Sequence, residues 1–545
     1  MGIDRKYSFA TLSGLLLALA YPGWGFDFGW LAWIGLVPLI WSLTQFAYKS
    51  GRLSVRTGFL IGFTAGLVYF LIIFRWFWSI HPLNTLGVEN TILSLVIVGT
   101  VYIISSAGMA LFWGLFGLAF STVCSRLTTR YFLLTAPAMF VITEYLRSWG
   151  FGLLWSGSGS LFGPHWTMGN LAYGLAGNSL ALYLASLVGI YGVTFLIVLI
   201  NFIFFKILKR NQATRAMLVV VAMTLAGVTF IPKFLTLGPA NDIPSEKINF
   251  AVIQTSQPAK VSPSSRETLA GFKEQLEMMA AVAKNYPEST LIVFPEASDF
   301  FKNMSIFLAP VEVENYFDKL FKEPHLIISG GRVYDSSTTR THSRVFLLDT
   351  QGGILNFYDK RLLMPGGEYL PYPINLITSM FSKNASSAFN NIRELSPGEK
   401  EISTVGFGYK LNVSPLICSE LVSADITRQA TQNTDLIISM ASYSIFHGNH
   451  AIADQMLAAT RFRAAENKKP VIAAVNMGRS YAIDSSGNIK FLAPNESPQI
   501  LTGALAIHKQ KSWYNKAGDL PTILVCLLLL AGPISLTWFK LLRRS

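Results

Sequence analysis

The chain has 545 residues, of which 51% are hydrophobic and only 14% charged, and its mean hydropathy is +0.41. That composition excludes a wholly soluble protein and the length excludes a single domain, so an integral membrane protein with a sizeable polar part is expected. The net charge of +13 does not point to nucleic acid, because Lys and Arg gather at the ends of apolar segments, as membrane anchors do, rather than in a basic arm.

Crossing the hydrocarbon core takes about 20 apolar residues. The first 237 residues supply seven candidate segments, near 8–26, 29–46, 57–80, 91–121, 131–149, 179–205 and 215–237. The first two are separated by Pro22-Gly23-Trp24-Gly25. An eighth segment spans 520–539 and ends at Lys540, Arg543 and Arg544. Between Lys233 and Asp519 no stretch is long and apolar enough to span. The expected division is a membrane domain at 1–237, an aqueous domain at 238–519, and a final transmembrane helix with a basic tail at 520–545.

Alternating the crossings from Arg5 and Lys6 inside places Lys49, Arg52, Arg56, Arg126, Arg130, Lys206, Lys209, Arg210, Arg215, Arg543 and Arg544 on the cytoplasmic side. The opposite loops are nearly bare, with no Lys or Arg at 81–90 and only Arg147 in 147–178. The aqueous domain is then expected outside the cytoplasm. Trp76, Trp78, Trp149, Trp155 and Trp166 read as an aromatic belt at that outer interface. Arg5-Lys6, an apolar run and Ala18-Leu19-Ala20 imitate a secretory signal, but Tyr21-Pro22 directly after disfavours cleavage, and an uncleaved first helix is expected.

Within the aqueous part, strands are expected at 247–254, 290–295, 325–333, 343–350, 409–417, 434–440, 471–477 and 500–507, with helices at 266–285, 311–322 and 450–467. Asp349-Thr350-Gln351-Gly352-Gly353 and Asp484-Ser485-Ser486-Gly487-Asn488 read as hairpin connections. Alternating strands and helices with some hairpins imply an α/β layered domain with a mixed sheet. No internal repeat is evident. Two apolar, Pro-punctuated stretches, Phe300 to Pro310 and Leu370 to Phe381, read as loops that either pack on the domain or dip toward the bilayer.

Of three cysteines, Cys124 and Cys526 lie in membrane-grade apolar stretches and read as small buried hydrophobes. Cys418 instead follows the strand-like run Pro415-Leu416-Ile417. Glu296 closes Leu291-Ile292-Val293-Phe294-Pro295, and Lys360 follows Phe357-Tyr358-Asp359. An acid, an amine and a thiol at strand ends make a nucleophilic site if the fold gathers them. The carboxylate takes the thiol's proton, and the ammonium holds the oxyanion of a tetrahedral adduct. Taken singly, each has a plain structural reading: a core cysteine, a turn carboxylate, one charge in the solvated Asp359-Lys360-Arg361 patch.

The order Phe294-Pro295-Glu296, Tyr358-Asp359-Lys360-Arg361-Leu362 with Pro365-Gly366-Gly367-Glu368-Tyr369-Leu370-Pro371, then Ile417-Cys418-Ser419-Glu420 resembles the Glu-Lys-Cys signature of the nitrilase superfamily. Arg461-Phe462-Arg463-Ala464-Ala465-Glu466-Asn467 and Asn476-Met477-Gly478-Arg479-Ser480 extend the likeness. With Glu144-Tyr145-Leu146-Arg147, Gly189-Ile190-Tyr191-Gly192-Val193-Thr194-Phe195 and Asn201 in the membrane part, the chain as a whole resembles the apolipoprotein N-acyltransferase family, bacterial enzymes that N-acylate lipoproteins.

The resemblance implies a polytopic α-helical bundle joined to a nitrilase-like α-β-β-α sandwich. It implies Glu296 as general base, Lys360 as oxyanion stabiliser, Cys418 as nucleophile and Glu368 in support. Glu420 sits where the family has an acidic residue beside the cysteine. Ser419 replaces the aromatic residue usual there, and Ser439-Met440-Ala441-Ser442-Tyr443 stands in place of an Asn-Asp-x-Trp-Phe run; these positions line the pocket in relatives. The implied reaction moves an acyl chain from a phospholipid through a Cys418 thioester to the α-amino group of a diacylglyceryl-cysteine lipoprotein. A thioester keeps much of the transfer potential, so no cofactor and no metal is expected. The implied setting is a bacterial inner membrane, multi-pass, with the catalytic domain on the periplasmic or extracellular side and the protein a monomer. The rival readings are a membrane-tethered amidase that releases its acyl group to water and a non-catalytic scaffold for a membrane glycosyltransferase.

Overall fold

The computed structural model describes residues 3–49, 54–124, 132–209, 246–259, 263–351, 353–381, 394–399, 405–407, 411–507 and 509–542. The expected segment at 215–237 lies outside them, as do Arg52, Arg126, Arg130, Arg210, Arg215, Arg543 and Arg544.

Among the described residues six α-helices precede the α/β part: α1 Ile3–Ala20, α2 Val37–Lys49, α3 Val55–Ile73, α4 Thr91–Cys124, α5 Phe132–Leu154 and α6 Ser179–Lys209. Among the described residues three helices are long and apolar enough to cross a membrane, spanning Val55–Ile80, Thr91–Val123 and Ser179–Lys209. Inside this bundle the fully buried Arg147 and Glu144 meet each other, as charges out of reach of water must. Arg147 binds Glu144 at 2.9 Å and donates to the Met168 carbonyl at 2.7 Å, while Trp113 Nε1 donates to Glu144 at 3.1 Å. Asn201 bridges the break before α2, accepting from Leu36 N–H and donating to the Ala32 carbonyl, both at 2.8 Å.

The α/β part contains two six-stranded mixed sheets. Its strands are β1 Glu246–Gln254, β2 Leu291–Val293, β3 Leu326–Asp335, β4 Arg340–Asp349, β5 Gly353–Asp359, β6 Val405–Phe407, β7 Leu411–Ile417, β8 Leu436–Ser442, β9 Val471–Asn476, β10 Tyr481–Ile483, β11 Ile489–Leu492 and β12 Gln499–Ile507. The sheet orders are β12-β1-β2-β3-β4-β5 and β11-β10-β9-β8-β7-β6. Both expected hairpins form, β4 with β5 and β10 with β11. β5, β6, β10 and β11 add to the expected set; β6, β10 and β11, only three or four residues long, carry too little periodic pattern to read.

The sheets face each other across a core that includes Phe250, Val252, Leu291, Ile328, Ile417, Ile438 and Ile472. Over the outer face of the first sheet lie α7 Ser265–Asn285, α8 Phe300–Phe307 and α9 Pro310–Leu320, packed through Phe272, Met279, Phe294, Phe300 and Phe317. α7 begins at a capping box, Ser264 with Glu267. Over the second sheet lie α11 Ala424–Ala430 and α12 His450–Asn467, which share one apolar cluster with the membrane helices. The result is an α-β-β-α sandwich with its second helical layer wedged against the bundle. The chain then runs through α13 Trp513–Ala517 into α14 Leu520–Leu542.

Three sequence expectations change. The stretch from Phe300 is helix α8, with Phe300, Asn303 and Met304 buried against the domain. The stretch after Pro371 is helix α10, Tyr372–Phe381, whose first N–H donates to the Ser156 carbonyl at 2.8 Å. Pro371 and Pro373 interrupt the apolar pattern, but proline is tolerated in a first helical turn, where its missing N–H would have no partner. The belt reading also fails for Trp76, Trp155 and Trp166, which are buried rather than set against lipid. Trp76 packs edge-on to Phe446 at 5.3 Å, and Trp155 donates to Ser105 at 3.0 Å.

Candidate active site

Three strand ends converge. Glu296 lies just past β2, Lys360 just past β5 and Cys418 just past β7. The backbone at Cys418 has φ +45°, a conformation that non-glycine residues adopt rarely and that a surrounding structure must impose. The chain turns there from a strand into a 3₁₀ turn, Cys418–Val422, which projects the thiol out of the sheet.

Lys360 Nζ, buried almost completely, donates to Glu296 Oε1 at 3.2 Å and Glu368 Oε1 at 2.9 Å. The other oxygens of the two carboxylates are held by backbone: Glu296 Oε2 accepts from Ser442 N–H at 3.1 Å and Glu368 Oε2 from Met364 N–H at 2.7 Å. The lysine backbone N–H is fixed by the Ser343 carbonyl at 2.9 Å. Burial works against the ammonium's charge, yet the carboxylates of Glu296 and Glu368 outweigh it and hold Lys360 protonated, above the usual lysine range. Burial raises the Glu296 carboxyl, against the pull of Lys360. Burial, then the Glu296 charge, push the Cys418 thiol up to about 12. A neutral thiol thus sits beside a carboxyl group that, once ionised, can take its proton.

Glu296, Lys360, Glu368 and Cys418 all line one cavity of about 740 Å³. Its walls come from both parts of the molecule: Trp76, Phe77, Val98 and Val101 from the membrane bundle, Ser442 and Asn476 from the ends of β8 and β9. A second, almost wholly apolar pocket of about 40 Å³ lies behind Cys418. Ser419 and Tyr443 line that smaller pocket rather than the large cavity. Ser419 Oγ donates to the Leu362 carbonyl at 2.6 Å. Glu420 lines neither. Fully buried, it accepts from Tyr358 OH at 2.5 Å, Arg361 N–H at 2.8 Å and Ile417 N–H at 2.8 Å, so it ties the loop after β5 to the end of β7. Burial raises its carboxyl, although these donors oppose the shift.

The sequence likeness covers Ser442, among the pocket-lining positions, and Asn476, but gives neither a specific role. Ser442 N–H orients Glu296, and Asn476 Nδ2 donates to Ser442 Oγ at 2.9 Å and the Gln257 carbonyl at 2.8 Å. Their position at the last residues of two buried strands was the available signal. Among the described residues no three His, Cys, Asp or Glu side chains are grouped as metal ligands.

The family model for the apolipoprotein N-acyltransferase N-terminal domain matches residues 13–203, and that for carbon-nitrogen hydrolase matches residues 249–515. A protein named apolipoprotein N-acyltransferase from Geobacter metallireducens is 26% identical over 524 residues, covering 94% of this chain and 92% of its own length. One of the same name from Thermotoga maritima is 25% identical over 94% of this chain and 90% of its own. Among solved structures, a branch 10 nitrilase-superfamily protein from Saccharomyces cerevisiae aligns with 18% identity and a TM-score of 0.36, covering 49% of this chain and 93% of that one. The two domain matches and the near end-to-end relatives agree: the chain belongs to the apolipoprotein N-acyltransferase family.

Proposed function

We propose that the protein is a membrane-bound N-acyltransferase that moves a fatty acyl chain from a phospholipid, through a thioester on Cys418, to the N-terminal amino group of diacylglyceryl-cysteine lipoproteins. Glu296 takes the Cys418 proton as sulfur attacks the ester carbonyl, and the oxyanion forms beside Lys360 Nζ. Collapse of the adduct breaks the ester C–O bond, and Glu296 returns its proton to the leaving lysophospholipid alkoxide. In the second half the acceptor amine attacks the thioester carbonyl, Glu296 takes the amine proton, and as the C–S bond breaks Glu296 passes that proton to the departing sulfur, which regenerates the thiol. Glu368 keeps Lys360 charged and placed. Glu420 positions the backbone around Cys418.

The observation that carries this reading is the shared cavity: the reactive groups sit against a wall built by membrane helices. Apolar walls suit an acyl chain and exclude the water that would hydrolyse a thioester. The same wall favours acyl transfer over the amidase alternative. In this reading the active domain lies on the periplasmic or extracellular face of a bacterial inner membrane, and helices α1 to α6 and α14 belong to a multi-pass bundle.

Intact mass spectrometry of protein purified from membranes tests it. A fatty acyl adduct labile to hydroxylamine is expected on the wild type and absent from Cys418→Ala. An adduct on another residue overturns the site assignment. Ammonia release from short amides with no adduct points to the amidase.

A further inference from the structure

The large cavity has chemically different ends. Ile80, Leu83, Leu86, Ile97, Val98 and Val101 line the end formed by the membrane bundle, whereas Asp299, Lys302, Asn303 and Arg332 line the end formed by the start of α8 and the outer half of β3. The polar end is built, not incidental. Asp299, at the N-terminus of α8 with φ +50°, accepts from Arg332 N–H at 3.1 Å and so pins the helix start to β3. Lys302 follows one turn along α8, and both cations act on the Asp299 carboxylate, so the three charges occupy one corner. Among the described residues neither Lys302 nor Arg332 is engaged in an ion pair.

The corner lies within reach of the reacting atoms. Arg332 pairs with Ser343 on β4, and the Ser343 carbonyl holds Lys360 N–H. Two inter-strand spacings, roughly 10 Å, therefore separate the backbones of Arg332 and Lys360. An acyl donor with its ester carbonyl beside Cys418 and Lys360 and its chains toward the membrane helices directs the rest of its glycerol toward this corner.

We propose that Lys302 and Arg332 form the subsite for the phosphate of the phospholipid acyl donor. The guanidinium offers a two-pronged donor and the ammonium a point charge, the pairing that suits a phosphodiester. The inference rests on the acyl-transfer reading and deepens it. A diacylglyceryl-cysteine acceptor carries no phosphate, so the two cations act in thioester formation and not in the second half-reaction.

Single-turnover loading of Cys418 in detergent micelles separates the possibilities, with dipalmitoyl phosphatidylethanolamine as one donor and p-nitrophenyl palmitate, which has no phosphate, as the other. In Lys302→Ala/Arg332→Ala the ratio of phospholipid loading to ester loading is expected to fall about tenfold or more, the size of a lost charge-assisted hydrogen bond. Lys302→Arg is expected to keep the wild-type ratio. A parallel loss with both donors, or no change with either, overturns the subsite. Inhibition of phospholipid loading by millimolar inorganic phosphate without a change in the ratio marks a free-phosphate site and also overturns it. Failure of the wild type to load from either donor removes the acyl-transfer reading itself.

Discussion

The two sheets of the sandwich share one strand pattern. Read from β12 to β5 and from β6 to β11, neighbours run antiparallel, parallel, parallel, antiparallel, antiparallel in both. Their helical layers differ sharply. α7 over the first sheet buries a single stripe, Phe272, Gln275, Met279 and Val282, and leaves Lys273 and Glu277 exposed. α12 over the second sheet is buried on all sides, because sheet lies on one face and membrane helices on the other. The same topology thus makes one solvent face and one internal seam. It also divides the chemistry: the strand ends of the first sheet supply Glu296 and Lys360, those of the second supply Cys418 and Ser442.

The two fully buried charges on α12 meet each other inside the protein. Arg463 pairs with Glu466 at 2.7 Å, both fully buried, and Glu466 accepts from Ile190 N–H at 2.8 Å. That N–H follows Gly189, whose φ +67° breaks the regular course of α6 and whose conformation strains any residue with a Cβ. A helix interruption in the membrane part is therefore closed by a carboxylate from the α/β part.

Breaking the seam should give the largest loss. Glu466→Ala leaves Arg463 buried without its counter-charge and is expected to cost about 3–5 kcal/mol, read as thermal unfolding in detergent. Lys360→Met, on the first sheet's side, removes the oxyanion's positive partner and is expected to slow thioester formation about 100- to 1000-fold, and it also lowers stability because Glu296 and Glu368 lose their shared counter-charge. Glu296→Gln separates basicity from charge. Removing a negative neighbour lowers the Cys418 pKa from about 12, so iodoacetamide labelling at pH 8 should speed up while acylation by phospholipid slows, because the proton acceptor is gone. In the wild type, acylation should rise with pH as Glu296 loses its proton, at a pH above the ordinary glutamate range.

Smaller effects sharpen the contrast further. Glu420→Gln sets an amide N–H₂ against a backbone N–H of Ile417 or Arg361, so a loss of about 1–3 kcal/mol in stability is expected. Glu277→Ala on the exposed face of α7 should stay within about 0.5 kcal/mol of wild type. A large loss there would mean that α7 is also covered.

The long core strands, the helices at 265–285 and 450–467 and the order of the chemical residues were legible because apolar runs, caps and strand-end polar residues are local signals. The parallel between the sheets was not. It lies in strand direction and neighbour choice, which leave no mark when the two copies use different side chains and connections of different length. α8 and α10 were hidden by proline and by apolar residues that read as loop.

The sequence by itself determined that apolar helices flank an α/β domain and that one acid, one amine and one thiol follow strand-like runs, since composition and periodicity are properties of short windows. Only the tertiary structure decided that the three groups share a cavity, that membrane aromatics wall it, and that Ser419 and Tyr443 face a different pocket. Such juxtapositions depend on contacts between segments dozens to hundreds of residues apart, set by how the sheets stack and the bundle docks.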